Sequence, residues 1–211
     1  MCSLASTGWL LCPGSATAGN GLLPWPDLTM RLDSMDEFRH RRLLDAWGDD
    51  GAPLADAWHR RIERYRGEPP TRQAEIVNRL VNQQIAYADD LGAYGVSDHW
   101  ALLAETLATG AGDCEDLALA KLESLAYLGW DEADLAIAVG DLQSQDGVRP
   151  HAVALVRIDD SGDPMVLGTI NPTPVRLSAR DDFAPVYVAT IAHDGANWLF
   201  LRNLMRHQTR Q

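Results

Sequence analysis

The chain has 211 residues, 46% of them apolar and 23% charged, which excludes a disordered or low-complexity protein and gives length enough for a domain with a real core. Its formal net charge of −12 excludes a nucleic-acid surface, since neutralising phosphates takes clustered Lys and Arg, and suits a protein that attracts cations. No uncharged apolar run reaches the ~18 residues of a spanning helix, so no transmembrane segment is expected.

Residues 1–34 read as a leader or irregular N-terminal segment. The opening stretch "MCSLASTGWLLCPGSATAGN" carries no charge, a short apolar run at Leu10 and Leu11, and an A-x-A pattern at Ala16 and Ala18. These are features of the end of a secretory signal without its positive start. Residues 35–205 are the expected domain. A first helix over 35–47 would bury Phe38, Leu43, Leu44 and Trp47, and "GDDGAP" then turns the chain. Leu54, Trp58, Ile62 and Tyr65 recur at helical steps. "GEPPT" breaks that helix, and Thr71 is the expected cap of the next, whose face is Ala74, Val77, Leu80 and Val81. "YADDLGAYGVSD" reads as a loop. Ser97 or Asp98 is the expected cap of a helix carrying Trp100, Leu103 and Leu107, which the glycines of "GAGD" end.

The stretch "GAGDCEDLALAK" follows. Asp113 is a good N-cap, and Asp116 three residues on can close a capping box. The helix is apolar nearly all round, apart from Lys121, Glu123 and its first turn, so it should be central. Gly129 suits its C-terminal end. Beyond it, "LAIAVG", "HAVALVRI", "MVLGTI" and "PVYVATIA" are β-rich runs, with "DDSGD" as a hairpin turn between two of them. Helices first and strands later predict an α+β fold with an antiparallel sheet.

Of the three cysteines, Cys2 and Cys12 lie in the leader and Cys114 stands alone in the domain. As first residue of the central helix, Cys114 would face unpaired N–H groups and the positive end of the helix dipole, which favour a thiolate. A nucleophilic thiol needs a base. His151, at the start of "HAVALVRI", supplies one if that strand packs against the helix N-terminus, with an Asp or Asn on the neighbouring strand to orient the imidazole. Each feature has a bland counterpart. A cysteine in an apolar helix is ordinarily core, a strand histidine is ordinarily half-exposed, and first-turn acids ordinarily complement the dipole. Their order and spacing together favour chemistry.

"VNRLVNQQIAYADD", "WALLAETLATGAGDCEDLALAKLESLAYLGW", "HAVALV" and "RDDFAPVYVATIAHDGANWL" resemble the bacterial transglutaminase-like cysteine proteinases, the LapG-type periplasmic proteases, from about Val77 to Leu199. The resemblance implies a papain-like, transglutaminase-like core in which the sheet packs on the Cys-bearing helix. It implies Cys114 as nucleophile and His151 as base, and calcium dependence with Asp113 and Glu115 as ligands. Calcium takes 6–8 oxygens, so backbone carbonyls, waters and Asp89 or Asp90 would complete the set. It also implies periplasmic localisation, a large adhesin-like protein substrate whose cleavage releases cells from a biofilm, and an inner-membrane cyclic-di-GMP receptor as partner.

The sequence departs from the family pattern in two places within the matched stretch. The third triad member belongs to an "LDN"-like segment that here reads "VLGTINPTPV", with Gly168 where the Asp is expected; Asn171 is the remaining weak candidate to orient His151. In "HWALLAE", Leu102 and Leu103 replace a Thr-Pro pair. Three functions stay open: a cysteine endopeptidase working through a Cys–His dyad or incomplete triad, a pseudo-protease that binds calcium or a partner without catalysis, and an acyl-transfer enzyme using the same dyad.

Overall fold

The computed structural model describes residues 53–169 and 173–190. The expected leader, the expected helix over 35–47, residues 191–205 and Asn171 lie outside them. The described chain begins helical over 53–63 (α1), followed by α2 (Pro70–Gln84), a two-residue strand β1 (Ala86–Tyr87), α3 (Asp90–Tyr94), α4 (Leu103–Thr109), β2 (Ala111–Gly112) and α5 (Cys114–Tyr127). Strands β3 (Leu135–Ser144), β4 (Gly147–Val156), β5 (Met165–Leu167), β6 (Val175–Arg176) and β7 (Phe183–Thr190) complete it. All pairs in the five-stranded sheet are antiparallel, in the order β6-β5-β4-β3-β7. The expected order of helices first and antiparallel sheet after is therefore present.

Helix α5 is central because it is apolar nearly all round beyond its first turn. Leu119, Leu122 and Leu125 are fully buried, and each contributes roughly 2–3 kcal/mol of transfer free energy as an upper bound. It packs on α2 and α4 on one side and on β3 and β4 on the other. Ile137, Ala152, Ala154 and Val156 meet it there. The reverse face of the sheet carries a second, smaller core of Ala138, Val153, Leu155, Val166 and Phe183. Trp58 of α1 is tied to α5 by its indole N–H, which donates to Ser124 Oγ at 2.9 Å.

Three local expectations are corrected. Thr71 does not cap α2: the helix starts at Pro70 with Pro69 at the cap position and no side-chain cap, because a proline in the first turn has no N–H to satisfy. Neither Ser97 nor Asp98 caps α4, which starts only at Leu103. Its first N–H instead donates to Glu123 of α5 at 3.2 Å, a tertiary partner doing what a local cap would do. "YADDLGAYGVSD" is more than loop, holding β1 and the one-turn α3, which Asp89 caps by accepting from Gly92 N at 2.8 Å.

Candidate active site

The site is assembled by a short parallel pairing. Ala86 pairs with Ala111 and Tyr87 with Gly112, so the segment leading into α3 runs beside the segment leading into α5. Asp90 and Asp113 are thereby brought together. Gly110 ends α4 in the left-handed region at φ 71°, as the motif suggested. Gly112 has a different purpose: a Cβ there would lie 2.6 Å from Asp116 Oδ2, so only glycine lets the chain pass that carboxylate.

Asp113 caps α5 and forms a capping box with Asp116, placing Cys114 as first helical residue. The Asp113 carboxylate accepts from Glu115 N at 3.3 Å, and Asp116 Oδ1 accepts from Ala101 N at 2.7 Å. Five carboxylates crowd this end of the helix. Asp90, Asp113 and Asp116 bring oxygens within 4.8 Å of one another, as do Asp90, Asp98 and Glu115, and as do Asp113 and Glu115 with the Cys114 sulfur. Asp89, held as the α3 cap, is not among them. Asp98 was missed in the sequence because it sits in an aperiodic polar stretch with nothing to mark it as converging on the site.

Burial and mutual repulsion raise Asp90, Asp113, Glu115 and Asp116. Burial first, then the Asp113 charge, push Glu115 up to about 9 and Asp90 up to about 6. Asp116 is pushed up to about 7, mainly by burial, and Asp113 is raised for the same reason. The Cys114 thiol is raised by burial and then by Glu115 and Asp113, and it donates to Glu115 Oε2 at 2.9 Å. With the chain's own groups alone, the expected thiolate is therefore not favoured. The helix dipole acts at the N-terminus with about half a charge, and burial of the thiol, followed by the acidic neighbours Glu115 and Asp113, outweighs it.

His151 is the fifth residue of β4 rather than its first, and is 5% exposed. The Ala152 backbone N–H next to it favours the Cys114 thiolate, so the helix N-terminus meets β4 beside the histidine. Side chains alternate along a strand. Ala152 and Ala154 point to α5 while His151 shares the reverse face with Val153 and Leu155, its ring edge-on to Phe183 at 6.4 Å. Burial first, then Arg149, Arg180 and Lys121, lower His151 to about 4, against the opposing pull of Asp182. The imidazole is thus neutral at pH 7, the form that accepts a proton.

Gly168 follows β5 and offers only backbone. Its carbonyl accepts from Asn82 Nδ2 and from Lys121 Nζ, both at 3.0 Å. Lys121 was read as a polar interruption of an apolar helix, yet it is completely buried, and burial lowers it to about 7. A cleft of about 780 Å³ beyond the C-terminal end of α5, lined by Arg66, Gln73, Trp130 and Arg157 among others, contains none of these site residues.

Residues 60–195 match the family model described as bacterial transglutaminase-like cysteine proteinase. Among solved structures, calcium-bound Legionella pneumophila LapG superposes with a TM-score of 0.58 at 27% identity, covering 73% of this chain and 83% of that one. The EGTA-treated form gives 0.58 at 26%, covering 73% and 81%. A third LapG structure from the same organism gives 0.61 at 25%, covering 80% and 95%. The curated proteins give no match. Among the described residues, no helix is long and apolar enough to cross a membrane.

Proposed function

Because the chain belongs to the bacterial transglutaminase-like cysteine proteinase family, we propose that it is a calcium-dependent cysteine endopeptidase of the LapG kind. Its substrate is a large adhesin-like surface protein cut in the periplasm, so that cells leave a biofilm, and its partner is an inner-membrane cyclic-di-GMP receptor. Substrate, compartment and partner rest on the family likeness. The observation that carries the chemistry is the placing of Cys114 at the first position of α5, against β4 at the residue beside a neutral His151.

In this reading the His151 imidazole turns from the face it shares with Val153 and Leu155 toward the Cys114 end of α5 and takes the thiol proton, and the sulfur attacks the scissile carbonyl carbon. The Cys114 backbone N–H donates to the developing oxyanion. His151 then returns the proton to the leaving amine, and a water, deprotonated by the same imidazole, hydrolyses the thioester. The thiol bonds Glu115 in the resting structure; catalytic hydrogen bonds commonly close only around a substrate.

The residues present fit a calcium ion. Buried Asp90 Oδ1 has no hydrogen-bond partner among the described residues, as suits a hard oxygen that completes a coordination sphere. Asp113 and Glu115 would hold the ion with Asp90, Asp98 and Asp116. When bound, the ion neutralises the carboxylates that keep the thiol protonated.

Gly168 favours a second reading, a calcium- or partner-binding module without catalysis, since an orienting carboxylate is absent there. An electrophilic thiol probe separates the two. With calcium, Cys114 should label at pH 6 far faster than a free thiol, and His151→Ala or a chelator should remove the advantage. Labelling no faster than a free thiol would establish the second reading.

A further inference from the structure

We propose that the open edge of β1 holds the substrate polypeptide in extended form, with the Tyr87 backbone N–H and C=O pairing with one substrate residue near the bond that Cys114 attacks. The proposal rests on the peptidase reading in taking Cys114 as the nucleophile.

The ladder between β1 and β2 fixes which backbone groups are already used. Ala86 N donates to Gly110 O and Ala88 N donates to Gly112 O, both at 3.0 Å. Along a strand the backbone groups of successive residues turn to opposite edges. Ala86 and Ala88 turn theirs toward β2, so Tyr87 between them turns its N–H and C=O the other way. Among the described residues β1 pairs with no strand but β2, and both of its residues are exposed. One donor and one acceptor side by side on a free edge are what an extended polypeptide pairs with when it adds a strand. An edge of two residues accommodates a single substrate residue and offers little to any longer strand.

Register ties this edge to the nucleophile. Tyr87 is the partner of Gly112, and Gly112 stands two residues before Cys114. A substrate strand would lie one strand spacing, ~4.8 Å, beyond β1. The ribbon that carries the edge is held firmly. Gly112 passes so close to Asp116 that a Cβ there would lie 2.6 Å from its carboxylate, and the Tyr94 hydroxyl donates to Ala111 O at 3.4 Å. Tyr87 is 58% exposed, so its ring is open to an arriving chain. Partial burial, then the charges of Cys114 and Asp113, push its hydroxyl up to about 12, in keeping with a ring that leans over the start of α5. Backbone pairing reads conformation and not side chains. The substrate is therefore a segment that is extended or unfolded before it binds, such as a linker between folded domains, and not a helix.

The test compares labelling of Cys114 in the calcium-loaded protein by two electrophiles, the chloromethyl ketone of acetyl-trialanine and chloroacetamide. Their rate ratio, divided by the same ratio for free cysteine, cancels whatever changes the thiol itself. That peptidyl advantage should be roughly tenfold or more in the wild type. Tyr87→Pro removes an N–H that β2 does not use, a substitution an edge strand tolerates, and should cut the advantage by roughly fivefold, the worth of one backbone hydrogen bond. Tyr87→Ala keeps the N–H and should cut it less. Methylating one particular amide of the probe should cost as much in unchanged wild-type protein, which reads the Tyr87 C=O without any substitution. The Tyr87 amide should exchange its hydrogen freely in the unlabelled protein and become protected in the peptidyl adduct. The proposal is overturned by a wild type with no peptidyl advantage, by equal losses in Tyr87→Pro and Tyr87→Ala, by indifference to methylation at every amide, or by a Tyr87 amide already protected before labelling, which would mean that the chain itself covers the edge. If chloroacetamide labels Cys114 no faster than free cysteine while the peptidyl advantage is present, the peptidase reading fails and the docking edge stands.

Discussion

Removing calcium should expose the internal repulsion of the carboxylate cluster, and pH should control how much of it is felt. Two unit charges at the 4.8 Å limit within which these oxygens lie repel by about 3–4 kcal/mol at an effective dielectric near 20. Without calcium the cluster avoids that cost by keeping protons, and the sign follows from linkage. Glu115, Asp116 and Asp90 are raised to about 9, 7 and 6 from unfolded values near 4. Between those limits the folded state binds more protons than the unfolded one, so stability falls as pH rises from about 4 to about 9. Calcium replaces the protons, so its stabilising effect should grow over the same range. At a calcium concentration of 100 times Kd the gain is about 2.7 kcal/mol, or a rise in Tm of roughly 8 °C for a domain of this size. Thermal melts in calcium and in chelator at pH 5, 6.5 and 8 measure it. Glu115→Gln sharpens the assay, because Glu115 already holds its proton at pH 7. The chelator-treated variant should melt within about 2 °C of wild type there, while its calcium affinity falls at least tenfold, ~1.4 kcal/mol. Equal melts with and without calcium at pH 8, or a calcium shift as large at pH 5 as at pH 8, would refute the reasoning.

Two further substitutions probe the scaffold. Gly140→Ala should destabilise by about 1–3 kcal/mol in chemical denaturation, because the new methyl group meets the Ala184 backbone at 2.2 Å and only a backbone shift relieves it. In the calcium-loaded protein, where the cluster carboxylates no longer exchange protons, Lys121 should make wild-type stability rise as pH goes from about 7 to about 10. Its folded value is lowered to about 7, so over that range the unfolded chain binds the extra proton. Lys121→Met should abolish the rise in the urea midpoint across pH 7 to 9.5, and a slope that survives the substitution would place its origin elsewhere.

The sequence by itself determined the features that depend on neighbours along the chain. The capping box of Asp113 and Asp116 is a local signal, so the start of α5 and the place of Cys114 at its first turn were legible before any fold was known. The alternation and branching of the later runs made the strands legible in the same way, and helices before strands made the sheet antiparallel. Tertiary structure decided what depends on contacts between distant segments. The pairing of β1 with β2 gathers Asp90 and Asp98 to the helix N-terminus, and no periodicity in the intervening residues announces it. Burial turned the charge of Lys121 inward and made the thiol reluctant to ionise, reversing what the helix dipole alone suggested. The missing carboxylate at Gly168 was visible in the sequence, but the packing around His151 was not. The close passage of β7 beside it depends on a bare Gly140 and on the register of β7, which only the folded sheet fixes.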